Sequence, residues 1–222
     1  MKYNVVEIFH SVQGEGIDVG REVVFLRLAK CNLACVWCDT EFDTYTEMSL
    51  YEVVEKMVAL AREYQVNHAV ITGGEPLFRS HDDLAELVKS LKEVGFTITI
   101  ETNGTIHPFV SMDVDLFSVS PKLKSSGNSP IKPDVLRRWC TSEDVQLKFV
   151  IADLEDMKEA CTMIKFCADE IIDYEIPVIF QPEFSSNSYA NLMGWATECL
   201  GDLKLDMNVF FIPQVHKLVG VE

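Results

Sequence analysis

The chain predicts an α/β fold of right-handed βαβ units around a parallel sheet, barrel-like or open, on three observations. Short apolar, β-branched runs recur along its 222 residues. Amphipathic stretches of helical period separate them. Most chemically distinctive motifs follow the carboxyl end of a run, where α/β folds gather ligands because connecting loops can vary there without disturbing the core.

The elements follow in order. "EVVFLRL" (Glu22–Leu28) reads as the first main strand. Ser49, with Glu52 three residues on, forms a capping box opening a helix to about Tyr64, whose Leu50, Val53, Val54, Met57 and Leu60 share one stripe. "HAVIT" (68–72) is the next strand, and 82–94 repeats the helical stripe before Gly95, a C-cap residue. "FTITIE" (96–101) and "DLFSVS" (115–120) are strands, whereas "KLKSSGNSPIKP" (122–133) is polar, rich in Gly and Pro, and reads as a mobile loop. Helices over Pro133–Cys140, 153–167 and 187–200 then alternate with strands "VQLKFVI" (Val145–Ile151), "PVIFQ" (177–181) and "NVFFIPQ" (208–214). The nearly continuous apolar character of these runs suits strands covered on both faces. With no internal repeat, low-complexity segment or linker, one domain spanning 1–222 is expected.

Nineteen basic against 35 acidic residues give a net charge of −16, which argues against a nucleic-acid or anionic-membrane surface. A small anionic ligand remains compatible with it. The opening "MKYNVVEIFHSVQGEG" lacks the apolar stretch of a signal peptide, and no run approaches the ~18 apolar residues of a membrane span. A cytoplasmic protein with reduced thiols is expected. Cys140, Cys161, Cys167 and Cys199 lie in apolar or helical contexts without ligand spacing and read as small buried hydrophobes.

"KCNLACVWCDT" is different, because Cys31-x3-Cys35-x2-Cys38 places three thiols within eight residues. Thiolates are the soft ligands of zinc and of iron–sulfur clusters. Structural zinc takes four ligands, often as two pairs, and no second pair appears here. Three thiolates suit a four-iron cluster with one iron open; a zinc-stabilised binding module would need a fourth soft ligand. "TGGEP" (72–76) adds glycines at a strand end, which let backbone approach a ligand closely.

The cysteine loop, "TGGEP" and the element order together resemble the radical S-adenosylmethionine superfamily. That resemblance implies a partial, incomplete β/α barrel of parallel strands. It also implies a 4Fe–4S cluster on Cys31, Cys35 and Cys38 whose open iron chelates S-adenosylmethionine. Trp37 stands where the superfamily places a group near the adenine, and Gly74 and Glu75 belong to the segment that meets the methionyl amine. A glycyl-radical-enzyme activase shares this spacing and is the alternative enzyme.

Residues 7–42 narrow the resemblance. "SVQGEG", the Arg27-Leu28 strand end and Trp37-Cys38-Asp39-Thr40 are similar to the 7-carboxy-7-deazaguanine synthase family, as are Ser120-Pro121-Lys122, Gln181-Pro182-Glu183 and Gln214-x-His216-Lys217. The family converts 6-carboxy-5,6,7,8-tetrahydropterin to 7-carboxy-7-deazaguanine by radical ring contraction with loss of ammonia, on the way to queuosine and related deazapurines. The resemblance implies substrate contacts from Val12, Gln13, Gly14, Glu15, Arg27, Thr72 and His216. Ser120, Lys122 and Gln181 are implied as further cofactor contacts. It implies Mg2+ at Thr40, with Asp39 in support, an electron donor such as flavodoxin or ferredoxin, and a homodimer. A bidentate Arg27–carboxylate pair and hard-oxygen coordination of Mg2+ are chemically consistent with those roles. Two departures stand out: Lys30 occupies a position where Gly is frequent, and Val215 one where Thr is common.

Overall fold

The computed structural model describes residues 1–38, 40–41, 44–108, 110–142, 144–186 and 189–221. The Asp39 assignment therefore lies outside the described residues.

Among the described residues, nine strands form one sheet in the order β3-β1-β2-β4-β5-β6-β7-β8-β9. The strands are β1 (Lys2–Val12), β2 (Glu22–Leu28), β3 (Thr46–Ser49), β4 (His68–Gly73), β5 (Thr97–Thr102), β6 (Leu116–Val119), β7 (Val145–Ile151), β8 (Val178–Pro182) and β9 (Val209–Phe211). From β2 through β9 every neighbour is parallel. Because β4 to β9 lie side by side in chain order, right-handed crossovers keep their helices on one face and let the sheet curl. The first and last strands do not pair, so the sheet is an open, partial barrel.

The helices are α1 (Leu50–Tyr64), α2 (His81–Glu93), α3 (Pro133–Cys140), α4 (Leu154–Phe166), α5 (Ala168–Asp173), α6 (Leu192–Leu200) and α7 (Val215–Val219). The Ser49–Glu52 capping box opens α1 as expected, with both reciprocal bonds made. Ser80 and Asp153 cap α2 and α4 through their side chains. No helix among the described residues is long and apolar enough to cross a membrane.

Several expectations need correction. The sheet does not begin at Glu22: β1 and β3 add two antiparallel strands, the first carrying an irregularity between Val5 and Glu7. Polar Asn4, Glu7 and His10 interrupt its apolar pattern, which conceals it in the sequence. The helix expected from 187 begins at Leu192; Tyr189 to Asn191 are turn, and 187–188 lie outside the described residues. The last strand ends at Phe211, because the following residues turn into α7. The segment 122–133 contains buried Leu123, Ser126 and Ile131 and a short 3-10 turn, Lys124–Ser126, so it is packed structure rather than a mobile loop.

The central strands are covered on both faces, every residue of β6, β7 and β8 being buried, but the two faces differ in chemistry. Val24, Leu26, Ala69, Ile71, Ile98, Ile100, Leu147, Phe149, Val178 and Phe180 join the main core under the helices. Side chains alternate along a strand, so the intervening residues share the opposite face. These include Arg27, Thr72, Glu101, Ser118, Lys148 and Gln181. The outer face is apolar, and the interior of the curl mixes these polar residues with apolar Val23, Phe25, Val70, Val150 and Ile179.

Candidate active site

The loop 13–21 lies across that interior. Gln13 is held by backbone bonds to Arg21 and Gly20, and Ile17 N donates to Gln146 Oε1 at 2.9 Å. Gln146 is itself tied to Ser118 Oγ at 2.8 Å. Gly16 has φ +71, and a Cβ there would stand 2.3 Å from the Gln146 amide, so glycine is required. His68, without a ligand role in the sequence, lies buried against Thr97 and Thr99 beside this loop.

Above the loop is a cavity of ≈ 920 Å³. Of the expected site residues among those described, only Glu75 and Gln181 do not line it. At its floor, Glu15 accepts from Gln181 Nε2 at 2.8 Å and Gln214 Nε2 at 2.9 Å, and pairs closely with Lys148. Burial alone would raise the Glu15 pKa, but the Lys148 charge and the hydrogen bonds from Lys148 and Gln214 outweigh it and hold the carboxyl at about 2. Gly14 approaches α7 so closely that a Cβ would sit 2.1 Å from His216 Nδ1, and its carbonyl accepts from Val215 N at 3.0 Å. Val215, the departure from the common Thr, thus makes its polar contact through backbone.

Beside the floor, Glu101 bridges two expected substrate contacts, accepting from Gln13 Nε2 at 3.1 Å and Thr72 Oγ1 at 2.7 Å. Arg27 Nε donates to Glu7 at 2.6 Å, Nη1 donates to Thr40 Oγ1 at 3.2 Å, and the guanidinium stacks 5.3 Å from the Phe9 ring centroid. Arg27 thus both lines the cavity and is ion-paired to Glu7. Val12 ends β1 at the cavity wall.

The rim is formed by loops at the carboxyl ends of β2, β4, β5 and β6. Lys30 adopts φ +74, the left-handed region that favours glycine, which accounts physically for Gly being frequent there. Its carbonyl accepts from Glu75 N at 2.8 Å. A Cβ on Gly74 would lie 1.8 Å from that same carbonyl, and one on Gly73 2.2 Å from Leu28 O. The two glycines thus serve backbone packing against the start of the cysteine loop, while Gly74 also faces the cavity. Glu75 turns elsewhere, accepting from Leu77 N, Thr102 Oγ1 and Asn103 N. Burial nonetheless pushes its carboxyl pKa up.

Cys31 and Cys35 are half-buried, Cys38 is exposed, and all three line the same cavity as free thiols. Burial pushes the Cys31 and Cys35 thiols up; at Cys35 the Lys122 charge and the Asn128 amide pull the other way. Lys122 Nζ donates to Ser120 Oγ at 3.0 Å and lies 5.5 Å from the Trp37 ring centroid; burial and the charge of Lys148 lower its pKa. Trp37 Nε1 and Gln181 Oε1 are buried without a hydrogen-bond partner among the described residues, as groups that await a polar ligand would be. Free thiols in one cavity, an open cavity of ligand size and the orphaned Trp37 N–H fit a cluster with a bound cofactor. Among the described residues, no three His, Cys, Asp or Glu side chains are placed to hold a single metal ion.

Sequence reasoning assigned no role to Glu101 or Lys148, nor to Gln214, although the last falls in the Gln214-x-His216-Lys217 motif. The available signal was a charged or amide side chain at an inward position of an otherwise apolar strand, or beside His216. Asn103 and Asn128, which contact the cysteine loop, carried no such signal.

The partial barrel with three thiols at its rim defines a radical S-adenosylmethionine enzyme, and residues 27–123 match the Radical SAM superfamily. The 7-carboxy-7-deazaguanine synthase of Haemophilus influenzae is 38% identical over 220 residues, covering 99% of this chain and 94% of that protein. That of Halobacterium salinarum is 34% identical, covering 95% and 87%. The crystal structure of QueE from Escherichia coli shares the fold, with a TM-score of 0.76, 24% identity and coverage of 97% and 95%. The chain belongs to the 7-carboxy-7-deazaguanine synthase family. With that membership come a 4Fe–4S cluster and S-adenosylmethionine as cofactors, and the choice between the two enzyme readings is made.

Proposed function

We propose that this chain makes 7-carboxy-7-deazaguanine, the product in the names of its relatives, from 6-carboxy-5,6,7,8-tetrahydropterin, the substrate its sequence resemblance implies. The observation that carries the reading is one cavity joining the three-cysteine loop to a polar floor of Gln13, Glu101, Thr72 and Arg27. The cluster and S-adenosylmethionine, when bound, supply the radical that starts the ring contraction. The protein's own contribution is to bind, orient and keep water away.

Gln13 and Glu101 present a donor and an acceptor suited to the aminopyrimidinone edge, with the Val12 and Gly14 backbone beside them. Arg27 and His216 hold the substrate carboxylate. Thr72 adds a hydroxyl. Glu15 organises the floor and offers an anion to the pterin N–H groups. Thr40 supplies a hard oxygen for Mg2+, together with the substrate carboxylate. Trp37, Gly74, Ser120 and Lys122 take the cofactor from the cavity side, while Glu75 braces the turn behind Gly74 and Gln181 supports the cavity through its bond to Glu15. Phe9 and Phe25 give the cavity an apolar wall.

The same resemblance supports a single-domain, cytoplasmic homodimer reduced by a flavodoxin or ferredoxin. The deciding experiment incubates anaerobic, cluster-replete protein with substrate, S-adenosylmethionine, Mg2+ and reductant. Formation of the deazaguanine is expected; its absence from a sample that still cleaves the cofactor sinks the proposal.

A further inference from the structure

The segment from Lys124 to Asn128 forms a bracket against the cysteine loop. Two backbone bonds anchor it to α4, Lys124 N to Glu159 Oε2 at 2.8 Å and Ser125 N to Asp156 Oδ1 at 3.0 Å. Ser126 is fully buried, its hydroxyl donating to Leu123 O at 2.6 Å, while its carbonyl accepts from Val36 N at 3.0 Å. Gly127 follows with φ +77, and a Cβ there would lie 3.1 Å from Val36 Cγ1. That glycine lets the bracket close on the loop.

Asn128 makes the contact with the sulfur. Its Oδ1 accepts from Ala34 N at 3.1 Å. A backbone N–H is an obligate donor, so the amide oxygen must face it, and the orientation of the amide follows. Nδ2 then faces Cys35 Sγ at 3.1 Å, and its second hydrogen is directed to Ser126, whose O and Oγ lie at 3.4 and 3.2 Å. Cys31 has a weaker counterpart in Asn103, whose Nδ2 lies 4.0 Å from the sulfur and is committed to Asn32 Oδ1 at 2.9 Å.

We propose that Asn128 is a positioning residue for the cluster, orienting the Cys35 sulfur through the Ala34–Cys35 backbone and raising the cluster's reduction potential by donating to that sulfur. A donor on a ligating sulfur stabilises the reduced cluster, which carries one more negative charge, over the oxidised one. The inference rests on the cluster assignment. It concerns only how this chain holds and tunes that group.

The test is a redox titration monitored by electron paramagnetic resonance on cluster-replete, full-length wild type, Asn128→Ala and Asn128→Asp. At a fixed solution potential the reduced-to-oxidised ratio should fall about tenfold in Asn128→Ala, or ~59 mV for a one-electron couple. Asn128→Asp should fall further, because it still accepts from Ala34 but sets a negative charge against the sulfur. An unchanged ratio in cluster-replete Asn128→Ala overturns the proposal. Should a variant fail to retain iron, alkylation of the apo-protein decides: without the amide donor that stabilises its thiolate, Cys35 in Asn128→Ala should label about fivefold more slowly than in wild type, with Cys38 unchanged. Equal Cys35 rates overturn the bracket. Wild type that takes up no iron would defeat the cluster assignment itself, and the labelling comparison would still judge the bracket.

Discussion

At the floor of the cavity Glu15 is buried and engaged by donors from β7, β8 and the residue before α7. At the rim, Cys31, Cys35 and Cys38 sit on a loop without regular secondary structure, held by side-chain amides and backbone bonds from neighbouring loops. The floor is complete in the protein alone, since its charges already satisfy one another. The rim holds thiols whose natural partner is metal. The difference teaches where stability and chemistry reside: the floor fixes the geometry that receives substrate, and the rim gains its cohesion from the group it binds.

The contrast can be broken at either end. The largest effect is expected at the rim, where Cys31→Ala should abolish iron binding and all turnover, read by iron content and product formation. At the floor, Lys148→Met leaves the Glu15 carboxylate without its cation in a buried site, a change that typically costs about 3–5 kcal/mol. Denaturant midpoints should show that loss, and Lys148→Met combined with Glu15→Gln should recover much of it; a single variant as stable as wild type would contradict the account.

Acid sharpens the same point. The native Glu15 carboxyl is held well below its usual range, so its stabilising contribution is present above the unfolded value near ~4.3 and is lost as pH falls toward 2. Wild type should therefore lose more thermal stability across that window than Glu15→Gln, as followed by melting temperature against pH. Between the two ends, Arg27→Ala should raise KM for the pterin about tenfold or more with iron content unchanged, since it removes a charge-assisted pair without touching the thiols. The smallest effect is expected from Thr40→Ala, a weaker stimulation of turnover by Mg2+. An unaltered Mg2+ response would remove Thr40 from that role.

Much of this arrangement was legible in the residue order. The capping box at Ser49, the stripe of α1 and the boundaries of α3 rest on contacts close in sequence, and the cores of the parallel strands on a local run of apolar residues. The cysteine spacing and the short motifs likewise marked a rim. β1 escaped because its polar interruptions mask an antiparallel strand, and 122–133 because Gly, Ser and Pro are as compatible with a packed bracket as with a mobile loop.

By itself the sequence determined the α/β alternation, the three-thiol loop and most of the residues around the cavity, because each is carried by a local pattern of apolarity or spacing. Only the tertiary structure decided that Lys148 meets Glu15, that Glu101 joins Gln13 to Thr72, and that Asn128 meets Cys35 across 93 residues of chain. Such pairs depend on strand order, register and the curl of the sheet. Those are set by the packing of the whole core, and no local periodicity encodes them.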